Sequence, residues 1–521
     1  MLPDPRRVTV GFRRKFPGFP ISILRSFTAR QWLILLTIQF TTLLFGVTVT
    51  SVAVILPQMK GALSATQDQI AWIITFNLVA TAVATPLTGW LASKLGWRIL
   101  MVASIMGFTS ASVLCGAVDS LESLLVLRVI QGLFGAPIFP LGQAILLASF
   151  PRSQHAFVIM AWGVGGVMGP ILGPTFGGLV AELLNWRWAF YLILPLGLVA
   201  GMFAFFSLPN TEKGRARRFD YLGFLFIAVA IAATQLMFDR GQRQDWLDSL
   251  EILIELTLAA VFFYLFVVHM LTARQPLFEP AAFSDRNFSL GIAFALVMGM
   301  LQYTPMILFP PLLQDLRGYP DSIVGYLIAA RGIGNFTSFF VVATFTRLAP
   351  RTCLFTGLAL QSLAGLWMAS LDMNMTSADV FWTNMLHGFG FGLAYTPMAV
   401  LCFSTLPAHL LTQGNGIFSL LRMLGSSVFI SLTLVVFVRS SAEANINLIS
   451  LINFANIENL SPWISLFGDA SGTATRVQVL GEVRRQSSMI GYINAFTLLT
   501  LVSALAAPFA VFFSMKRPAE A

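Results

Sequence analysis

The stretch Gly163-Val-Gly-Gly-Val-Met-Gly-Pro-Ile-Leu-Gly-Pro-Thr-Phe-Gly-Gly178 decides how this chain is read. It sits inside an apolar run over 156–181, long enough to cross a bilayer, which needs about 20 residues. At helical spacing Gly165, Gly169, Gly173 and Gly177 form one bare stripe, and Gly166, Pro170, Pro174 and Gly178 form the neighbouring one. Stripes of small residues let two helix backbones approach closely in lipid. Each proline removes a backbone donor and bends the helix. Two readings stay equally open: ordinary tight packing, or a bend and close contact where two moving halves seal.

Working outward, the rest of the chain has the same character. Of its 521 residues, 56% are hydrophobic and 11% charged, against about 25% charged in an average soluble domain. Mean hydropathy is +0.78. So few charged side chains cannot cover a water-facing surface of this size. The composition excludes a soluble enzyme, a disordered chain and a peripheral membrane protein, and leaves an all-α polytopic membrane protein. Backbone groups must pair within each span in lipid, which makes helices the default. The net charge of +9 is no nucleic-acid signal, because the basic residues lie in short loops between apolar runs. Cys115, Cys353 and Cys402 lie in apolar stretches without metal-ligand spacing, so neither a disulfide framework nor a metal site is expected.

Fourteen spans are predicted: 31–56, 70–92, 98–118, 123–148, 156–181, 188–208, 220–238, 252–272, 288–312, 323–346, 352–371, 379–403, 414–438 and 491–514. An even count puts both termini on one side. Lysines and arginines on that side number twenty against nine on the other, so the termini are expected in the cytoplasm. The basic start, 1–30, reads as a retained cytoplasmic arm facing anionic lipid headgroups rather than a cleaved signal peptide. A long, mostly polar outer loop is predicted over 439–490, with an amphipathic segment near 446–454.

A repeat divides the chain. Lys94-Leu-Gly-Trp-Arg98 follows the second span and Arg347-Leu-Ala-Pro-Arg351 the tenth, at an offset of about 253 residues. Gln131-Gly132 and His387-Gly388 match at nearly the same offset. Two six-helix halves (31–208 and 288–521) flanking a linker with two extra helices (209–287) produce this pattern. Transporters built from such repeats hold substrate where the repeats meet.

Few residues inside the spans can do chemistry. Arg128 in span 4 costs about 2.5–3.5 kcal/mol to place in mid-membrane, so it needs a partner or a wet cavity. Arg331 and Arg422 sit nearer span ends, where snorkelling and a cavity role are equally open. His387 carries a proton or serves as a hydrogen-bonded packing residue. No Asp or Glu occupies the centre of a span, while span 1 offers Gln39, Thr41, Thr42, Thr48, Thr50 and Ser51. Hydroxyls, amides and aromatics suit an amphipathic, mostly apolar solute. The turn Gly89-Trp-Leu-Ala-Ser-Lys-Leu-Gly-Trp-Arg98 reads as simple positive-inside topology or as a latch, with Gly89, Lys94, Gly96 and Arg98 its working parts. Without a Gly-x-x-x-x-Gly-Lys-Ser/Thr loop, no ATP-driven pumping and no cofactor are expected.

Together these motifs resemble the drug:proton antiporter-2 branch of the major facilitator superfamily, the fourteen-helix EmrB/QacA-type multidrug exporters. Gly89–Arg98 resembles the loop 2–3 signature. Arg128, Gln131, Gly132 and Gly135 resemble the span 4 signature, and Gly165–Gly178 the antiporter motif of span 5. Trp186–Phe190 with Pro195 and Gly197 is similar to the start of span 6. Phe219-Asp220-x-x-Gly223 and Asp239–Trp246 are similar to the inserted helix pair. The resemblance implies a major facilitator fold and export of amphipathic compounds in exchange for protons by alternating access. Arg128, Gln131, His387, Gln39 and Thr48 are the expected substrate and proton cavity. In a Gram-negative cell it implies a periplasmic adaptor and an outer-membrane channel as partners. Two departures stand out. The family's span 1 acid is replaced by Gly46, or by Thr48 in the ungapped register, and the loop 2–3 Asp by Ser93. The missing span 1 acid motivates a rival expectation, a dedicated metabolite exporter or facilitator with weak or no proton coupling.

Overall fold

The computed structural model describes residues 27–65, 67–151, 154–209, 219–451 and 473–514. Among these residues the regular structure is helical, in fourteen long rods. The first half holds α1 (Ala29–Ala62), α2 (Gln67–Ala84, continued by a tight turn at Thr85–Leu87 into Thr88–Leu95) and α3 (Trp97–Ala117). It continues with α4 (Leu121–Gly135, then Ile138–Ser149), α5 (His155–Leu183) and α6 (Ile193–Ser207). The inserted pair is α7 (Tyr221–Arg240) and α8 (Leu250–Thr272). The second half comprises α9 (Arg286–Pro311), α10 (Asp321–Leu348), α11 (Pro350–Ala369), α12 (Ser377–Phe403), α13 (Leu411–Leu451) and α14 (Thr473–Ala506). Among the described residues, twelve of the rods are long and apolar enough to cross a membrane.

Local chemistry sets the starts. Thr28 and Gln31 form a capping box at α1, and Thr376 and Asp379 form one at α12. Asp220 and Asp285 cap α7 and α9 by accepting backbone N–H groups at 2.9 and 2.8 Å. Such caps satisfy donors that a helix start would leave orphaned. Pro86 and Pro137 stand where α2 and α4 change course.

The halves repeat each other. In the first, α1 packs on α5 and α6, α2 on α4, and α3 on α4 and α6. In the second, α9 packs on α13 and α14, α10 on α12, and α11 on α12 and α14. The inserted helices pack on one another, and α7 lies against both α2 and α13. There Thr75 Oγ1 donates to Asp239 at 2.8 Å and Ser427 Oγ to Gln235 Oε1 at 2.7 Å, so α7 bridges the two halves along one flank. The outer face of α8 carries exposed Leu250, Phe263, Tyr264 and Leu271, as a lipid-facing helix requires.

One expectation needs correction. The outer stretch 439–490 is not mainly a loop. α13 runs on to Leu451 and α14 begins at Thr473, and they pack together where Phe437 meets Tyr492 at 4.5 Å. The residues Arg439–Leu451 contain no proline or glycine, so the helix has no reason to stop when it turns polar. Polarity marks where a helix leaves lipid rather than where it ends. The amphipathic stretch near 446–454 is the end of α13, and its last residues, with the arm 1–26, lie outside the described residues.

Candidate functional site: a cavity between the halves

The glycine stripe of α5 lies against α1, inside the first half. A Cβ on Gly169 would stand 2.6 Å from Gly46 Cα, and one on Gly177 would stand 2.7 Å from Ser51 Cβ. Gly165 abuts the Gln39 side chain and Gly173 the Thr50 hydroxyl. The close approach brings polar groups across the seam. Ser51 Oγ donates to Gly173 O at 2.9 Å, Thr50 Oγ1 to Gly169 O at 3.3 Å, and Gln39 Nε2 to Ala161 O. The stripe of Gly165, Gly169, Gly173 and Gly177 is tight packing within the first half, while Gly166 of the neighbouring stripe lines the cavity between the halves. Gly178 is half-buried. The side chains of Pro170 and Pro174 lie outside the described residues. Gln39 is thus a cross-link of the α1–α5 seam, and Thr48 donates to Leu44 O within its own helix at 2.7 Å. Neither faces the cavity.

That cavity lies where the halves meet. The first half contributes Phe139, Trp162, Gly163 and Gly166. From the second half come Gln302 and Tyr303 of α9, Asn335 and Phe339 of α10, and Arg422 of α13. α12 supplies Phe391, Gly392, Tyr395 and Thr396. Tyr395 stacks between Trp162 (6.3 Å between ring centroids) and Phe391 (5.6 Å), a flat aromatic wall spanning the interface. Arg422 is buried, donates to Gln302 Oε1 at 3.0 Å and lies over the Phe139 ring at 5.6 Å. Its burial overturns the snorkelling reading. The aromatic lining was missed because large apolar residues look alike in a chain this hydrophobic. A signal existed in the repeat register, which sets Gly166 opposite Arg422 and Gly169 opposite Gly425.

Arg128 does not line this cavity. It is buried deeper in the first half, where Nη1 donates to Gln131 Oε1 at 2.6 Å and the guanidinium lies 4.9 Å from the Phe190 ring. Asn77 of α2 donates to Arg128 O at 3.0 Å and to Gln131 Oε1 at 3.4 Å. A small pocket bounded by Val49, Ile73, Ile74, Asn77 and Leu78 touches Arg128. The expected set of Arg128, Gln131, His387, Gln39 and Thr48 is therefore dispersed: the first two stand on α4 and bond Asn77 of α2, and the others lie elsewhere. His387 is fully buried in α12, where both ring nitrogens lack a hydrogen-bond partner among the described residues. The next residue, Gly388, presses on the Arg331 carbonyl of α10.

The loop 2–3 residues serve separate tasks. A Cβ on Gly89 would meet Gln413 Cα of α13 at 3.3 Å, so this glycine lets the halves touch. Lys94 Nζ lies 4.7 Å from the Trp90 ring, which meets Phe219 at 4.6 Å before α7. Gly96 takes φ +83° between α2 and α3, a conformation that favours glycine. Arg98 Nε donates to Leu208 O at 2.8 Å, holding the end of α6. Arg351 does the same in the second half by donating to Phe513 O past the end of α14. Contacts between halves gather toward the Gly89–Arg98 end: α13 meets the last turns of α2 and the second segment of α4, and Gly163 near the start of α5 faces Phe339. The bundle is closed at that end.

Comparison with known proteins places these features. The Major Facilitator Superfamily family model matches residues 38–430. The multidrug export protein EmrB of Haemophilus influenzae is 30% identical over 477 residues, covering 89% of this chain and 92% of the relative. The fatty acid resistance protein FarB of Neisseria gonorrhoeae is 31% identical over 398 residues, covering 76% and 78%. The crystal structure of the human organic anion transporter MFSD10 (TETRAN) superposes with a TM-score of 0.61 at 14% identity, over 92% of this chain and 99% of that one, a likeness of fold.

Proposed function

This chain belongs to the major facilitator superfamily, in its fourteen-helix multidrug-efflux branch, and from that premise we propose that it exports hydrophobic or amphipathic compounds in exchange for protons by alternating access. The observation that carries the reading is the aromatic cavity between two pseudo-repeated halves, closed at one end by Gly89 against Gln413. Residues 31–208 and 288–521 are the moving halves, and 209–287 carry the bridging pair. The lysine and arginine bias supports a cytoplasmic (inner) membrane location with both termini and the closed end on the cytoplasmic side. In this state the cavity has turned away from the cytoplasm.

His387 is the proton carrier in this reading. Its unpartnered nitrogens leave room for a proton to change its bonding, while Arg128 holds α2 to α4. The arm 1–30 rests on membrane lipids. In a Gram-negative cell the exporter hands its substrate to a periplasmic adaptor and outer-membrane channel. Uptake of lipophilic dyes into inverted vesicles under an imposed pH gradient tests the proposal. Accumulation that collapses with the gradient is expected; dye movement indifferent to it at every pH would overturn proton exchange.

A second reading has its own support. Among the described residues no acid lines the cavity, and Gly46 or Thr48 holds the place of the family's acid, which favours a facilitator or dedicated metabolite exporter. Proton movement triggered by substrate in proteoliposomes separates the two.

A further inference from the structure

We propose that the central cavity is an organic-anion site, in which Arg422 is the counter-ion for a sulfonate or carboxylate carried on a planar aromatic solute. The inference rests on the exporter reading above and narrows its substrate class. It starts from an imbalance of charge. Arg422 is 8% exposed, and the polar group it bonds is the neutral amide of Gln302. Its buried Nε has no hydrogen-bond partner among the described residues. A guanidinium carries five N–H donors, and a buried charge is costly unless paired and hydrogen-bonded. Among the described residues, the elements facing it bring no acid. Gln302 and Tyr303 come from α9, Asn335 from α10, Tyr395 from α12, and Phe139 and Trp162 from the first half, and none is a carboxylate. Elsewhere in the chain the described arginines with nearby acids do pair with them, as Arg240 does with Glu251 at 2.5 Å. Among the described residues of the wall, nothing cancels the charge of Arg422.

Two further features define what completes it. The planar bidentate fork of arginine matches carboxylate and sulfonate geometry. The neighbouring wall is a stack, with interplanar angles of 30° between Trp162 and Tyr395 and 17° between Phe391 and Tyr395, which suits a flat ring system. Arg422 is also held in place from behind. Gly299 presses on the Arg422 carbonyl, and Ser426 Oγ donates to Gly299 O at 3.0 Å, so α13 crosses α9 at close range at the residue bearing the charge. The repeat sharpens the point, since the equivalent position in the first half is Gly166, which offers the cavity no side chain.

The test uses two fluorescent probes sharing one aromatic skeleton, anilinonaphthalene sulfonate and uncharged phenylnaphthylamine, with ethidium as a cation. The full-length protein in proteoliposomes transports all three under a pH gradient if the exporter reading alone is right. The inference adds that the sulfonate is preferred over ethidium. It also expects Arg422→Gln to raise KM for the sulfonate about 30-fold or more, the scale for truncating one member of a buried charge pair, while phenylnaphthylamine transport persists. Arg422→Lys restores part of the sulfonate transport. If Arg422→Gln silences every probe, recovery of the sulfonate by Arg422→Lys supports the site, and failure to recover overturns it. Sulfonate transport unchanged in Arg422→Gln, or ethidium preferred by the wild type, overturns the inference and leaves the exporter standing. Movement of none of the probes overturns both.

Discussion

At the same level of the two halves, α4 crosses α2 and α12 crosses α10, and the two crossings treat an arginine differently. In the first half the arginine stands on α4: Arg128 is tied to Gln131 and, through its carbonyl, to Asn77, while Arg128 Nε and Gln131 Nε2 are buried with no partner among the described residues. The repeat offset carries Asn77 to Arg331, Arg128 to Asn384 and Gln131 to His387, so in the second half the arginine has moved to the partner helix. There the tie is undone. Among the described residues, Arg331 Nη1, Asn384 Oδ1 and both His387 nitrogens are buried without hydrogen-bond partners, and Arg331 lies 5.8 Å from the Phe391 ring. Each unmet buried polar group costs about 1–3 kcal/mol. A knot of bonded groups holds helices together, and a set of unbonded ones waits for a proton, water or solute. One half thus reads as scaffold and the other as the working face, in line with Arg422 and most of the cavity wall lying in the second half.

The largest effect is expected where backbones touch. Gly169→Ala would place a methyl 2.6 Å from Gly46 Cα, and Gly425→Ala would drive one into the Leu296 carbonyl. Each should lower stability by about 1–3 kcal/mol, measured by thermal unfolding in detergent. Gly163→Ala is the control, since its nearest neighbour is 3.9 Å away, and it should be nearly neutral. If both crossings tolerate alanine, the repeated seam is not what holds each half.

Next, Arg128→Ala removes a hydrogen-bonded cation, so it should cost about 1.5–3 kcal/mol and abolish transport with insertion intact. Arg331→Ala removes a cation without hydrogen bonds and should cost less. Equal losses of melting temperature would erase the contrast between knot and open set. His387→Gln sharpens the same contrast by function: the pH dependence of export should flatten, whereas Gln131→Ala should leave the profile's midpoint in place. A smaller effect separates the end caps. Arg98→Ala and Arg351→Ala each free a terminal carbonyl and should each cost about 1 kcal/mol, matched across the halves.

The fold was legible because lipid makes few demands and makes them everywhere. Apolar length, proline and glycine placement, and the side of each lysine or arginine located fourteen rods, and the pairing of Arg98 with Arg351 was visible at constant offset before both proved to hold helix ends. The extension of α13 to Leu451 was hidden because hydropathy reports the solvent and not the backbone. The site was less legible for the reverse reason. Arg128 stood out by cost, yet that cost is met in part by Gln131 within the first half, while Arg422 near a span end looked cheap and proved to face the cavity. Which face of a helix points inward depends on its partners, and Trp162, Tyr395 and Phe391 carry no mark of their own among so many aromatics.

Alternating access itself is open to one direct measurement. A Cβ on Gly89 would lie 3.5 Å from Gln413 Cβ, inside the range a disulfide spans. With Cys115, Cys353 and Cys402 replaced, Gly89→Cys with Gln413→Cys should cross-link on oxidation. The locked protein should stop exporting dye and recover on reduction. Export that continues unchanged through the cross-link would contradict the account.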